Sequence, residues 1–427
     1  MSKWIESEIS KIGSVVSGGT PSTSVSKFWN GDILFVTPYD LSRNKTAFIE
    51  STERKISREG LENSSANLLP IGSIILSSRA PIGYIAIAKK EFTTNQGCKS
   101  IITNSDFDSL YFYYCFQFYI ERIKKYGEGT TFAEISKGDL ELVKFPHPKD
   151  KTEQRQIATI LSTADAVIEK TQAAIAKYKA IKQGMLQDLF TRGIDTTTGK
   201  LRPSYQDAPE LYKESKLGWI PKEWNEKPLE DLTTQIGDGI HTTPKYSKNT
   251  DFYFINGNNL TEGAIEIGSA QCVTEEEYKK HFKDLNSRTI LYSINGTIGN
   301  IAIYKNEKVI LGKSACYITC KSSVNLDYLF FILQTYSIQR FYELEMTGST
   351  IKNLSLASVR NTPIAIPKDD KEQKLIGDRL NSINKKLQTE QDFLHKQQQI
   401  KAGLMNDLLS GKKKLPEFVL EELMVDK

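Results

Sequence analysis

Three short stretches of this chain have residue types that could do chemistry, and each lacks part of the pattern that chemistry needs. "GKS" at 312–314 would end a phosphate-binding loop, whose glycine-rich backbone cradles phosphate oxygens. That loop needs glycine five residues before its last glycine, and Glu307 stands there. "GDG" at 237–239 starts like a dinucleotide fingerprint, but Thr242 replaces the third glycine, which packs a helix against its strand. Cys316 and Cys320 have no second pair for a tetrahedral zinc site, and His147, His241, His281 and His395 are scattered. No serine sits in G-x-S-x-G, and no N/D-P-P-Y/F/W tetrapeptide of an amino-methyltransferase is present. The acidic run Glu275–Glu277 reads as a solvated helix face. Nothing in the sequence asks for catalysis.

The elements that carry these residues belong to a chain of 427 residues, enough for two to four domains. Hydrophobic residues at 39% and charged residues at 25% suit a globular protein with buried cores. "LYFYYCFQFYI" (110–120) and "YLFFILQTY" (328–336) are about half a membrane span and read as buried helices. "MSKWIESEIS" has no apolar signal region, and the five cysteines lack paired spacing, so a cytoplasmic protein with reduced thiols is expected. A net charge of +4 is too small to announce nucleic-acid binding or to exclude it.

The chain is one unit written twice. A shift of 219 residues places "EQRQIATILSTADAVIEK" (153–170) on "EQKLIGDRLNSINKKLQT" (372–389) without a gap. The same shift pairs "GMLQDLF" (184–190) with "GLMNDLL" (403–409), "FVTPYDLS" (35–42) with "FINGNNLT" (254–261), and "GTTFAEIS" (129–136) with "GSTIKNLS" (348–355). From Glu153 to Phe190, 11 of 38 positions are identical to their partners, while the preceding stretches match only in islands. The order is therefore variable domain, uniform helix, variable domain, uniform helix.

The uniform segments carry apolar residues at alternating spacings of four and three. Ile157, Leu161, Ile168 and Ile175 in the first copy, and Ile376, Leu380, Ile383, Leu387 and Leu394 in the second, form the seam of a coiled-coil helix pair. Thr171 is a polar break in it. Thr152 and Asp370 are candidate N-caps, and Gly184 and Gly403 suggest a kink or close packing near each helix end. Antiparallel pairing is the economical choice, and 38 residues make a rod of about 57 Å. In the variable domains "DILFVT" (32–37), "SIILSS" (73–78), "YIAIAK" (84–89) and "KSIIT" (99–103) read as strands, followed by one helix near 106–125 and its partner near 325–345. The expected fold is α+β: two pseudo-repeated mixed α/β domains (1–150 and 215–370) separated by a pair of long antiparallel coiled-coil helices (151–192 and 371–411). A linker spans 193–214 and a tail 412–427.

The duplicated helix with its "EQ" start and "G-(M/L)-(L/M)-x-D-L" end resembles the conserved regions of the specificity (S) subunit of type I restriction–modification enzymes. "SSRAPIGYIAI" (77–87), "TNQGCKSI" (94–101) and "SKLGWIPKEW" (215–224) carry the same resemblance, though "LGKSACYIT" (311–319) replaces "NQGCKSI" in the second half. The resemblance implies two target-recognition domains, each reading half of a bipartite, asymmetric sequence in double-stranded DNA. It implies helices that set the spacing and dock two methyltransferase (M) subunits, with up to two restriction (R) subunits as further partners. S-adenosylmethionine and ATP with Mg would belong to those partners; this chain would be non-catalytic, bind no cofactor or metal, and touch no membrane. A protein–protein scaffold with two ligand domains on a coiled-coil strut is the alternative.

Base readout needs Arg or Lys for guanine and Asn or Gln for adenine, with Ser, Thr and Lys for phosphates. On that chemistry the candidates in the first domain are Thr20, Ser22, Arg43, Lys45, Arg79, Gln96 and Lys99. In the second they are His241, Thr242, Lys245, Asn256, Asn258, Asn259, Asn295 and Lys313. Tyr and Phe within 111–119 form a continuous run without interleaved cations, which reads as core and not as a base-stacking platform.

Overall fold

A computed structural model of the chain describes residues 3–79, 81–127, 134–261, 263–347 and 352–413. The chain divides into two compact units, one of residues 1–173 and 392–427, the other of residues 174–391. Each contains the start of one long helix and the end of the other. The tail beyond 413 and most of the paired "GTTFAEIS" and "GSTIKNLS" loops lie outside the described residues.

In unit 1 a five-stranded sheet has the order 13–17, 98–103, 74–77, 85–88, 48–49, beside a three-stranded sheet of 54–56, 29–36 and 92–94. Unit 2 repeats the arrangement, with a four-stranded sheet ordered 233–237, 315–320, 289–293, 301–303 and a three-stranded one of 271–272, 253–255 and 309–311. Each unit is closed by an antiparallel pair with the same register. Trp4 faces Pro148 in one, and Trp224 faces Pro367 in the other. The central strands are buried along their whole length because helices and loops cover both faces, so they read as continuous apolar runs rather than alternating ones.

The aromatic helix starts where Asp108 accepts the Tyr111 amide at 2.9 Å, and Tyr111 to Phe116 are all buried. It is shorter than the sequence suggests. Tyr119 leaves the helical region (φ −101°, ψ 25°), giving two helices, Ser109–Phe118 and Ile120–Lys125. The counterpart also splits, into Leu326–Ile332 and Tyr336–Glu345. In both units the first piece is apolar all round and buried, whereas the second is mainly polar and outward-facing. A break lets the chain change from one packing environment to the other.

The long helices span Lys151–Thr191 and Asp370–Leu409. Their caps lie upstream of the expected Thr152 and Asp370. The Asp150 carboxylate accepts the Thr152 amide at 2.9 Å, and the Asp369 carboxylate accepts the Lys371 amide at 2.9 Å. Gly184 and Gly403 do not mark close packing, since an added Cβ at either would meet nothing within 4 Å. The left-handed glycines sit just past the helix ends: Gly193 (φ 66°), against Trp224, and Gly411 (φ 70°), against Trp4.

Ile157 and Leu161 join the unit 1 core together with Leu408 and Leu409 from the end of the second long helix. In unit 2, Ile376 and Leu380 share a core with Leu186, Leu189 and Phe190 from the end of the first. Ile175, Ile383 and Leu387 are also buried, while Ile168 and Leu394 are half-buried. Thr171 satisfies its buried hydroxyl by donating to the Val167 carbonyl at 2.8 Å, one turn back.

Candidate nucleic-acid interface

The start of each long helix is strapped to its domain by one buried glutamine. Gln154 donates to the Pro148 carbonyl at 2.9 Å and accepts the Asp108 amide at 2.9 Å. Gln373, 219 residues later, donates to the Pro367 carbonyl at 3.1 Å and accepts the Asn325 amide at 3.0 Å. A primary amide can be donor and acceptor at once, and this strap needs both. The "EQ" of the repeat is therefore a joint between helix and domain.

On that frame the loops bearing the first domain's candidates converge. The Gly19 amide meets the Thr94 carbonyl at 2.9 Å, Asn95 meets Val36 at 3.2 Å, and Ser78 meets Gly97 at 2.8 Å. Thr20 donates to Gln96 Oε1 at 2.6 Å, so two candidates from distant segments touch. Gly97 has to be glycine here, as a Cβ would come within 2.9 Å of Pro38 and 3.2 Å of Arg79 Nε. Arg79 and Gln96 are exposed, Thr20 is half-buried, and exposed Ser22 bonds Ser24 at 2.8 Å. Arg43 lies over the Tyr39 ring with its carbon 5.3 Å from the centroid, and Lys45 is exposed. Lys99 is different. It is buried beneath the loops, its ammonium 3.5 Å from Ser78 Oγ and 3.9 Å from Glu134, and burial lowers its pKa.

The second domain's loops converge in the same way. The Ile240 amide bonds Leu311 O at 2.7 Å, Lys313 bonds Ile240 O at 3.0 Å, and Gly312 bonds Ile255 O at 2.8 Å. Ser314 ties the cluster together: its hydroxyl donates to Asn256 Oδ1 at 3.0 Å and accepts the Gly257 amide at 2.9 Å. Asn295 donates to Asn353 Oδ1 at 3.0 Å, and the equivalent backbone bridge in the first domain joins Arg79 to Glu134. His241, Thr242, Lys245, Asn258 and Lys313 are exposed. The His241 ring is held by Asp238 at 2.9 Å.

The first and last amides of "NGNN" have structural partners. Asn259 accepts the Asn256 amide at 2.9 Å and donates to Glu266 O at 3.4 Å and Ser269 Oγ at 3.2 Å. Asn256 is taken up by Ser314, which leaves Asn258 as the presented amide. The first domain builds the same turn as a capping box from Thr37 and Asp40. Ser314, Asp238, Asn353 and Asn300, whose amide donates to the Gly257 carbonyl at 3.0 Å, support these loops and do not stand out in the sequence. The pairing of "TPYD" with "NGNN" was the visible signal for the turn; the serine hub has none.

The arrangement presents Arg43, Lys45, Arg79 and Gln96 on one unit, and His241, Lys245, Asn258 and Lys313 on the other. These are donor-rich, unlike sets on like frames. Among the described residues no group of three or more His, Cys, Asp or Glu could hold a metal, and no helix is long and apolar enough to cross a membrane.

Comparison with known proteins bears on this geometry. A family model described as the type I restriction modification DNA specificity domain matches twice, over residues 1–178 and 221–402. The MjaIX type I restriction enzyme specificity subunit of Methanocaldococcus jannaschii is 31% identical over 377 residues, covering 85% of this chain and 83% of the relative. The EcoR124I/EcoR124II specificity subunit of Escherichia coli is 28% identical over 182 residues, 41% of this chain and 44% of that one. The crystal structure of the type I S subunit from M. genitalium shares the fold, with a TM-score of 0.60 at 16% identity over 97% of both chains.

Proposed function

From the premise that this chain belongs to the type I restriction–modification DNA specificity family, we propose that it binds double-stranded DNA sequence-specifically as the specificity subunit of such an enzyme. It is a recognition subunit and not the catalyst. Each domain reads one half of a bipartite, asymmetric target, and the long helices dock methyltransferase subunits, two per chain, and then restriction subunits. S-adenosylmethionine and ATP with Mg act on those partners.

The observation that supports this reading most directly is the pair of unlike loop sets on one repeated frame. A guanidinium or ammonium suits guanine O6 and N7, an amide suits adenine, and hydroxyls suit phosphate. Arg79 stands where the second domain has Asn295, and "TPYD" where it has "NGNN". Different donors at equivalent positions select different bases, so the two half-sites differ. Phosphate contacts by Lys45, Lys245 and Lys313 make binding fall steeply with salt.

The test is strand-resolved methylation mapping of a host genome with and without this gene, the methyltransferase being present in both. The expected result is a methylated motif of two unlike halves around a fixed spacer, lost on deletion. Exchanging residues 215–370 for another recognition domain changes one half alone. Unchanged methylation with a folded, expressed methyltransferase refutes the reading and favours a scaffold.

A further inference from the structure

The two repeats satisfy one buried position of their shared frame differently. In unit 2, Glu372 at the start of the second long helix is 3% exposed and fully engaged. Arg202 grips it with both terminal nitrogens, Nη2 to Oε2 at 3.0 Å, and it also accepts the Ile194 amide at 2.8 Å. One turn on stands the apolar Leu375, and nearby the Tyr328 hydroxyl donates to the Ala365 carbonyl at 2.6 Å. Glu372 and the Tyr328 hydroxyl therefore both have partners, although Trp224 Nε1 beside them has none.

The 219-residue shift places Glu153 at Glu372 and Gln156 at Leu375, and the matching helix caps, Asp108 accepting the Tyr111 amide and Asn325 the Tyr328 amide, place Tyr111 at Tyr328. In unit 1 the corresponding atoms, Glu153 Oε2, Gln156 Oε1 and the Tyr111 hydroxyl, are buried and have no hydrogen-bond partner. Tyr111 is 0% and Gln156 5% exposed, and Glu153 Oε2 is itself buried, although the Glu153 residue as a whole is half-buried and the rest of its side chain is open to a partner. Burial chiefly raises the Tyr111 hydroxyl's pKa, with smaller contributions from Cys115, Tyr119 and Glu153. Buried polar atoms are rarely left unmatched in a finished assembly.

The frame itself does not require the vacancy, because unit 2 fills it. Among the described residues the end of the second long helix supplies no counterpart of Arg202. Residues 410–427 contain no arginine, and of their four lysines Lys412 bonds Asn406 at 3.4 Å, Lys413 pairs with Asp407 at 2.7 Å, and Lys414 and Lys427 lie outside the described residues.

We propose that Glu153, with Gln156 beside it, is the seat of an arginine from a methyltransferase subunit, which supplies to unit 1 in trans the guanidinium that Arg202 supplies to unit 2 in cis. The proposal rests on the specificity-subunit reading. A guanidinium fits because a planar fork of five donors can serve both carboxylate oxygens and the neighbouring amide oxygen, which a lysine's point charge cannot do. One consequence is that the two methyltransferase sites of this pseudo-symmetric chain are chemically unlike.

The experiment titrates the full chain with its methyltransferase by calorimetry and native mass spectrometry, for wild type, Glu153→Gln and Gln156→Leu. The expected result is that Glu153→Gln weakens one of the methyltransferase binding steps about tenfold or more. The melting temperature of the free chain does not fall, and rises if anything, because the substitution removes a buried charge without losing a partner in the chain. Gln156→Leu installs the residue of the second repeat and weakens the same step less, so it carries the test should Glu153→Gln not fold. Equal affinity for both variants and wild type overturns the proposal. So does a lower melting temperature of free Glu153→Gln, which would mean that the chain's own tail holds the carboxylate. If wild type itself binds no methyltransferase, the specificity-subunit reading falls as well.

Discussion

Arg202→Met is the perturbation that most directly tests how unit 2 is held together. The Arg202 side chain is 11% exposed and that of Glu372 3%, so the substitution strands a carboxylate away from water with only the Ile194 amide for company. Methionine keeps the length of the stem, so the lost packing is small. Removing one member of a buried ion pair costs about 3–5 kcal/mol, most of it the desolvation of the member left behind. In a unit of this size each kcal/mol lowers the melting temperature by about 2–4 °C, so the transition of unit 2 should fall by about 10 °C. Calorimetric melting of the full chain measures this, with hydrogen exchange of the Ile194 amide as the local probe. Adding Glu372→Gln removes the stranded charge, and the double variant should recover part of the loss although it has one fewer ionic group. If Arg202→Met melts within about 2 °C of wild type, or if the double variant is no better than the single, then the pair is not what joins the linker to the helix.

Two further outcomes separate reading from building. Asn258→Ala should leave the melting temperature unchanged and relax preference at one base pair by about 1–3 kcal/mol in competition binding, whereas Asn259→Ala should lose about 1 kcal/mol of stability through its turn. A loss of stability in the first, or none in the second, would reverse their roles. His147 is fully buried, its Nδ1 donating to the Pro148 carbonyl at 2.8 Å and its Nε2 accepting from Ser7 at 3.0 Å. Burial lowers its pKa below 6.5. The unfolded chain therefore takes up a proton that the folded chain refuses, and this stability is present above pH 6.5 and lost as pH falls below it. Ile366 occupies the equivalent place in unit 2. Unit 1 should thus lose more stability than unit 2 between pH 7 and 5, and His147→Gln should flatten the difference; a pH response equal to wild type in that variant would refute the assignment.

Much of the architecture is legible in the residues because a duplication is a pattern that needs no energetic weighing. The 219-residue shift locates both long helices, and its islands fall on the turns that the fold reuses, Thr37 to Asp40 and Asn256 to Asn259. What cannot be read is direction. "NGNN" shows three amides, but only the packing against Ser314 and Ser269 turns two of them inward. Lys99 looks like a cation for DNA, yet its strand is covered on both faces, so alternation along the strand gives no exposed side. The helix breaks at Tyr119 and after Ile332 escape a pattern reading because local propensity is undisturbed there and only the change from core to surface forces them.

The repeat is more useful as an internal control than as a predictor. Two copies of one frame have met the same backbone demands, so a residue that differs between them while the backbone does not has been released from the frame. Arg79 against Asn295 differs this way at a loop position, whereas Asp40 and Asn259 differ in type but close the same turn. Glu153 and Glu372 are the reverse case. The residue is the same and its surroundings differ, one carboxylate gripped by Arg202 and the other with a buried oxygen that accepts no hydrogen bond. An identical group that is satisfied in one copy only cannot be explained by the needs of the frame. Whatever completes Glu153 comes from outside the described part of the chain, at the end of a helix whose partner end is complete in itself.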